Sequence, residues 1–390
     1  MASRQARGGN YSSAGGSSPE LDAWSTLLPR MNADQGGAAG PAVLARVRDA
    51  RLDGLRAISA LAVLLFHAGV LGGGSMGVDV FFVLSGFLIT NLLAREIDLA
   101  GGINLKKFLA RRVRRLLPAL MLVVAVYAVG SHYLWPRFAG SRWLDVLCAA
   151  FYLTDFREAY ATSYAPLSHT WSLALEAQFY LMWPFATAML MKMARPRAAA
   201  VLLLLWAVLT VARDLLKLDG LHGVAYFAPP FHATGLFLGA ALALRPLRLD
   251  LGWAGLAGLA VIFLWPWPFI WPIPSGPAFW LITAAELAAA LVIGSPPRVL
   301  GWRPLALVGL ISYGVYLWHI PLLHLFTVPG PDPRKVVGLI VLSIGMAALS
   351  YLVVERPIQR TRHRPVRPTP VPLESAVPLE DRPPLPADGA

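Results

Sequence analysis

The chain has 390 residues, 56% of them hydrophobic and 14% charged, against about 45–50% apolar and 25% charged in ordinary soluble domains. A soluble core cannot bury so many uniformly apolar segments, so the composition indicates a polytopic membrane protein. The net charge of +12 and the single cysteine, Cys148, exclude further classes. The arginines and lysines sit in short stretches between apolar runs, as membrane topology demands, and form no nucleic-acid-binding module. One cysteine allows neither an internal disulfide nor a CxxC metal or redox site.

Residues 1–45 are rich in Gly, Ser and Ala, lack the apolar core of a signal peptide, and read as a disordered tail. Apolar segments then recur near 53–71, 77–95, 116–135, 171–192, 198–216, 226–244, 252–271, 276–293, 305–326 and 336–355. Each is long enough to be read as a membrane helix. The predicted fold is therefore all-α, one transmembrane domain over 46–358 with about ten helices. Residues 143–154 are apolar but short, and predict an interfacial or re-entrant helix. From Gln359 onward the Pro-rich sequence predicts a second disordered tail, 359–390.

With ten spans, Arg46, Arg48, Arg51, the basic run from Lys106 to Arg115, Lys192, Arg195, Arg197, Arg245, Arg248, Arg298 and Arg303 all fall on one side. The positive-inside rule makes that side, and both termini, cytoplasmic. No internal repeat is evident, which argues against a transporter built from inverted repeats.

Ionisable residues interrupt the first two segments. Arg56 and His67 are eleven positions apart, close to three helical turns, so they share one face about 16 Å apart along the axis. Asp79 follows the glycine turn at 72–74, at a depth similar to His67. Its carboxylate is expected within hydrogen-bond reach of the His67 ring, about 2.6–3.2 Å, where it would orient the imidazole. Each residue also has a plain reading: His67 as packing, Asp79 as a helix cap and Arg56 as a side chain snorkelling to headgroups. Arg112 and Arg115 share a helix face, and their guanidinium groups suit phosphate as well as topology.

His169, Ser172 and Glu176 recur at i, i+3 and i+7 on the fourth segment. That stripe can bind hydroxyls of an acceptor, support His67 or brace neighbouring helices. A third stripe, Ser312, Tyr316 and His319, reads as interhelical bracing. Glu355 and Arg356 predict an ion pair or a helix end, with Pro357 as the stop. There is no HExxH zinc motif, Walker loop or dinucleotide fingerprint.

The segments RLDGLRAISALAVLLFHAG and GVDVFFVLSGFLIT resemble the acyltransferase-3 family of integral membrane O-acyltransferases. The family's Arg, ten residues, then His is matched by Arg56 and His67. FLARRVRRLLPAL resembles its arginine-rich motif, with Arg112 and Arg115 at the R-x-x-R positions. LSHTWSLALEAQFYLMWP, ISYGVYLWHIPLL and the closing VERP also fit, with Ala177 standing where relatives often carry a second acid.

The resemblance implies transfer of an acyl group from a thioester donor to a hydroxyl. The donor expected is acyl-coenzyme A, carrying acetyl or a longer chain, with no tightly bound cofactor and no metal. In that reading His67 is the general base, and Asp79 and Glu176 complete the catalytic set. Arg56, Arg112 and Arg115 hold donor phosphates, and His169 and Ser172 meet the acceptor. No serine sits in a nucleophile elbow, which favours direct attack by the acceptor. The Ala-, Arg-, Gly- and Pro-rich usage resembles high-GC actinobacterial proteins, and no soluble hydrolase-like domain follows the last segment. A macrolide or other natural product is therefore the first expected acceptor, with a surface glycan or glycolipid as the alternative. The expected setting is a bacterial cell membrane, with lipid as surroundings and no nucleic-acid partner. A polytopic transporter or flippase is the rival class, because the same polar stripes would line a pathway.

Overall fold

The structure is a computed structural model that describes residues 49–160, 165–218, 220–247, 249–265, 279–325 and 332–360. The N-terminal tail, and all but the first two residues of the C-terminal one, lie outside the described residues. Among the described residues every regular element is helical and there is no strand.

Helix α1 runs Ala50–His67 and starts where the Asp49 side chain accepts a hydrogen bond from the Arg51 backbone N–H at 2.9 Å. A short 3-10 turn, Gly74–Met76, reverses the chain into α2, Gly77–Ala100, which ends on Gly101 at φ 72°. Helix α3, Leu105–Leu134, carries the arginine run in its first turns. The connector that follows holds α4, Arg142–Ala150, and α5, Thr154–Glu158. Next come α6, Trp171–Leu190, and α7, Arg195–Leu218.

The second half contains α8, His222–Phe227, α9, Pro229–His232, α10, Thr234–Leu244, α11, Gly252–Leu264, and α12, Phe279–Gly294. It closes with α13, Arg303–Leu310, α14, Ser312–Leu323, and α15, Pro333–Ser350. Helix α15 passes through a π-turn, Tyr351–Glu355, into α16, Arg356–Arg360.

Helix α2 is the axis of the bundle. It packs against α1, α6, α10 and α12 and is mostly buried. Helices α3, α7 and α15 stand outside it and expose large apolar side chains such as Val129, Leu204 and Val341, as expected of surfaces facing lipid. The protein is polytopic. Among the described residues four helical stretches are each long and apolar enough to cross a membrane, and the pair α13–α14, bent by 67°, makes a fifth if it is one span; α10, α11 and α12 are shorter apolar helices.

A close crossing joins α2 to α10. A Cβ on Gly86 would sit 2.0 Å from the Leu236 carbonyl oxygen, and one on Gly239 would sit 2.0 Å from the Val83 carbonyl oxygen. Only glycine permits this backbone approach.

Three predicted segments are shaped differently from a plain span. The sixth, near 226–244, is broken into α8, α9 and α10. Pro229 and Pro230 supply no N–H to a continuous helix there, and the break turns His232 into the core. The ninth, near 305–326, bends at Ile311 between α13 and α14. The last does not stop at Pro357. The π-turn restarts the helix at Arg356, so Pro357 lies in a first turn, where its missing N–H costs nothing. Glu355 there takes a hydrogen bond from Ser350 at 3.5 Å, and among the described residues it forms no ion pair with Arg356. The short stretch near 143–154 becomes α4 and the start of α5, separated by Tyr152 at φ 56°.

Candidate active site

The polar residues gather in two centres joined along α1 and α6. The first is a histidine pocket at the end of α1. His67 is the last residue of α1, and its Nδ1 lies 2.8 Å from the Val63 carbonyl oxygen and 3.2 Å from His319 Nε2. His319 comes from α14, and its Nδ1 lies 2.5 Å from the Tyr316 carbonyl oxygen. The His169 ring stacks edge-on to His319 with centroids 5.3 Å apart. Its Nε2 donates to the Leu317 carbonyl at 3.1 Å, while its buried Nδ1 makes no hydrogen bond. Tyr316 OH donates to the His169 carbonyl at 2.8 Å, and Ser172 Oγ lies 2.7 Å from the same hydroxyl. The pocket wall adds Phe66, Trp171, Tyr226, Phe227, Ser75 and Ser168.

The second centre is an arginine cluster deeper along the same helices. Arg56 on α1 stands within electrostatic range of Arg115, Glu176 and Tyr180, and its buried Nε makes no hydrogen bond. Glu176 accepts a short hydrogen bond from Ser85 on α2 and another from Tyr180 OH at 3.2 Å. The Arg112 guanidinium lies 5.5 Å from the Phe108 ring centre and 5.7 Å from that of Tyr180. Arg115 is within range of both Glu176 and Glu355. Two guanidiniums near one carboxylate, with that of Arg112 beside them over the Tyr180 ring, leave a positive cradle suited to phosphate.

The two centres belong to one polar column. Arg56 and His67 share α1 about 16 Å apart, and Ser172 and Glu176 step one turn along α6 between them. The structure thus places Arg56, Arg112, Arg115 and Glu176 together at one end, and His67, His169 and Ser172 together at the other. Glu176 belongs to the arginine end and not beside His67. Ser85, Tyr180 and His319 complete the two centres. Ser85 and Tyr180 carried no signal in the sequence beyond their motifs. The i, i+4, i+7 stripe had marked His319, but only as a brace.

Asp79 is the correction. Its Oδ1 lies 2.8 Å from His232 Nε2, and the pair is fully buried. It also caps nothing: α2 begins without a side-chain cap. The broken helix at α8–α9 is the reason, because it delivers His232 to α2 while His67 is taken by α14. The His232 ring is boxed in by Trp171, Tyr226 and Phe82 at centroid distances of 4.9, 4.5 and 5.8 Å. Asp79 and His232 therefore stand behind the pocket wall and not in the pocket. Among the described residues no group of three or more His, Cys, Asp or Glu side chains is placed to hold a metal ion.

A helical membrane bundle with a buried polar column, guanidinium-rich at one end and imidazole-rich at the other, defines a polytopic membrane protein with an internal polar site. The family model described as "Acyltransferase domain" (acyltransferase-3) matches residues 49–355, and the chain belongs to this family. It is 30% identical over 344 residues to O-acetyltransferase OatA of Staphylococcus aureus, an alignment covering 79% of this chain and 57% of the relative. It is 31% identical over 351 residues to the putative peptidoglycan O-acetyltransferase YrhL of Bacillus subtilis, covering 79% of this chain and 54% of the relative. The chain thus spans somewhat more than half the length of these curated relatives. No solved structure matches it.

Proposed function

We propose that the protein transfers an acetyl group from acetyl-coenzyme A to a hydroxyl of a surface glycan. The observation that carries this reading is the pairing of Arg56 and His67 on one face of α1, which links a phosphate-binding cradle to a basic pocket. The span of about 16 Å between them suits a long thioester arm, with its phosphates at Arg56, Arg112 and Arg115 and its acyl carbon near His67. The relatives named as O-acetyltransferases, one of them for peptidoglycan, support a glycan acceptor over the macrolide expected first. The aromatic wall of Trp171, Tyr226, Phe227 and Phe66 suits a sugar face, with Ser75 and the unpartnered His169 Nδ1 left to meet hydroxyls.

The step balances within these groups. His67 Nε2 takes the proton of the acceptor hydroxyl as its oxygen attacks the acyl carbonyl carbon. The C–S bond breaks, and His67 returns the proton to the departing thiolate. The basic α3 end faces the cytoplasm, where the donor is made, and both termini lie on that side of a bacterial cell membrane.

The test uses the full chain purified in detergent, with acetyl-coenzyme A and solubilised peptidoglycan strands, reading released thiol. Acceptor-dependent release abolished by His67→Ala is the expected result. Binding of coenzyme A without release would sink the enzyme reading, and uptake or flipping of the glycan by sealed vesicles would favour a transporter.

A further inference from the structure

We propose that His319 is the positioning residue for His67, the place a carboxylate fills in most histidine-based sites. This rests on His67 as the base. Among the described residues, the donors and acceptors at the three facing nitrogens of the two rings admit one neutral arrangement. His319 Nδ1 faces the Tyr316 carbonyl at 2.5 Å. A carbonyl only accepts, so Nδ1 carries the proton and Nε2 carries the lone pair. That lone pair stands 3.2 Å from His67 Nδ1, which also faces the Val63 carbonyl at 2.8 Å. With two acceptors in front of it, His67 Nδ1 must be the protonated nitrogen, shared between them. The lone pair of His67 is then on Nε2, the atom that takes the acceptor's proton.

The arrangement survives the reaction. When Nε2 gains a proton, the imidazolium still donates through Nδ1 to His319, and the new charge is stabilised by a neutral lone pair. A proton added to His319 Nε2 instead would set donor against donor and turn the base away. Among the described residues no carboxylate shares this position: Asp79 is engaged with His232, and Glu176 with Ser85 and Tyr180. The 67° bend between α13 and α14 is what aims His319 at the end of α1.

The test compares two polar replacements in the full chain. In His319→Gln the amide oxygen falls where Nε2 stood and still accepts from His67; in His319→Asn it falls near Nδ1 and does not reach. With acetyl-coenzyme A and solubilised peptidoglycan strands, the Asn variant should lose about 10- to 100-fold in kcat, the range seen when an orienting partner is removed. The Gln variant should recover most of that loss, and donor KM should be unchanged in both. If the Asn variant does not fold, judged by its thermal midpoint in detergent, His319→Leu takes its place with the same expectation. Wild-type kcat in the Asn or Leu variant, or equal loss in the Gln and Asn variants at equal thermal midpoints, would overturn the assignment. His67→Ala runs beside them: activity retained there removes the base itself, whereas an inactive His67→Ala with a fully active His319→Asn removes only the role of His319.

Discussion

Asp79 Oδ1 sits 2.8 Å from His232 Nε2, and His232 Nδ1 in turn donates to the Tyr226 carbonyl across the break between α8 and α9. One proton therefore lies on the Asp79–His232 contact, whichever of the two carries it. The pair ties α2 to the broken helix and fixes the rings of Trp171 and Tyr226, which wall the histidine pocket. Removing one partner of such a buried pair costs about 3–5 kcal/mol. Asp79→Leu should therefore lower the thermal midpoint sharply. Asp79→Asn keeps a donor for a neutral His232 and should leave both the midpoint and kcat near wild type. A large kcat loss in a stably folded Asp79→Asn protein would restore the carboxylate to the reaction.

The arginine cradle gives a prediction of a different kind. Arg56 and Arg115 both lie within electrostatic range of Glu176, while the Arg112 guanidinium lies 5.7 Å from the Tyr180 ring centre. Arg112→Ala or Arg115→Ala should raise the KM for acetyl-coenzyme A about tenfold, the equivalent of about 1.4 kcal/mol, with kcat little changed. Lysine at either position should recover only part of the loss, because an ammonium cannot bind phosphate through two parallel N–H donors. Initial-rate kinetics at two salt concentrations check this, and the arginine effect should shrink at high salt.

Much of this architecture is legible in the sequence, because long apolar segments and an eleven-residue spacing on one helix follow from local periodicity. Arg56 and His67 share a face for that reason alone, and Ser172 and Glu176 line α6, while His169 sits in the 3-10 turn Ser168–Thr170 that leads into it. What the sequence hides is which helix meets which. Sequence proximity alone points Asp79 to His67, because the two are neighbours across a short turn. His232, 153 positions away, reaches Asp79 only because two prolines break its helix. His319 lies 252 positions from His67, and a bend at Ile311 brings it in. Breaks within apolar segments, which hydropathy smooths over, thus decide the partners of both ionisable groups in the first hairpin.

The connector between α3 and α6 carries a pH response. Glu158 is paired with Arg157, and Arg157 reaches on to Asp145 at 2.5 Å, which accepts from Tyr127 OH at 2.8 Å. Burial pushes the Glu158 carboxyl up to about 7 from an ordinary 4.5, with Arg157 opposing the shift. The folded chain thus holds this proton more tightly than the unfolded one. The contribution is favourable at low pH, declines as pH rises from about 4.5, and is fully lost above about 7. Its upper size is about 3 kcal/mol. The thermal midpoint should fall between pH 5 and pH 8, and Glu158→Gln should flatten that decline because Arg157 keeps Asp145. An equally steep fall in the Gln variant would assign the response to another group.

The α2–α10 crossing should control activity without touching a substrate. Gly86 follows Ser85, the hydroxyl held by Glu176, and both Gly86 and Gly239 sit against a carbonyl oxygen of the opposite helix. A methyl at either position meets backbone at 2.0 Å, which cannot rotate away as a side chain tip can. The helices must separate, at about 1–3 kcal/mol for overpacking of this kind. Separation at Gly86 also carries Ser85 away from Glu176, loosening the carboxylate that faces Arg56. Gly86→Ala should therefore lower the thermal midpoint and raise donor KM together. Gly239→Ala lies farther along the crossing and should lower the midpoint with a smaller effect on KM. Gly102, whose added Cβ meets nothing within 4 Å, supplies the control: Gly102→Ala should leave both quantities unchanged. Equal KM values for Gly86→Ala and Gly102→Ala would separate the crossing from the donor site.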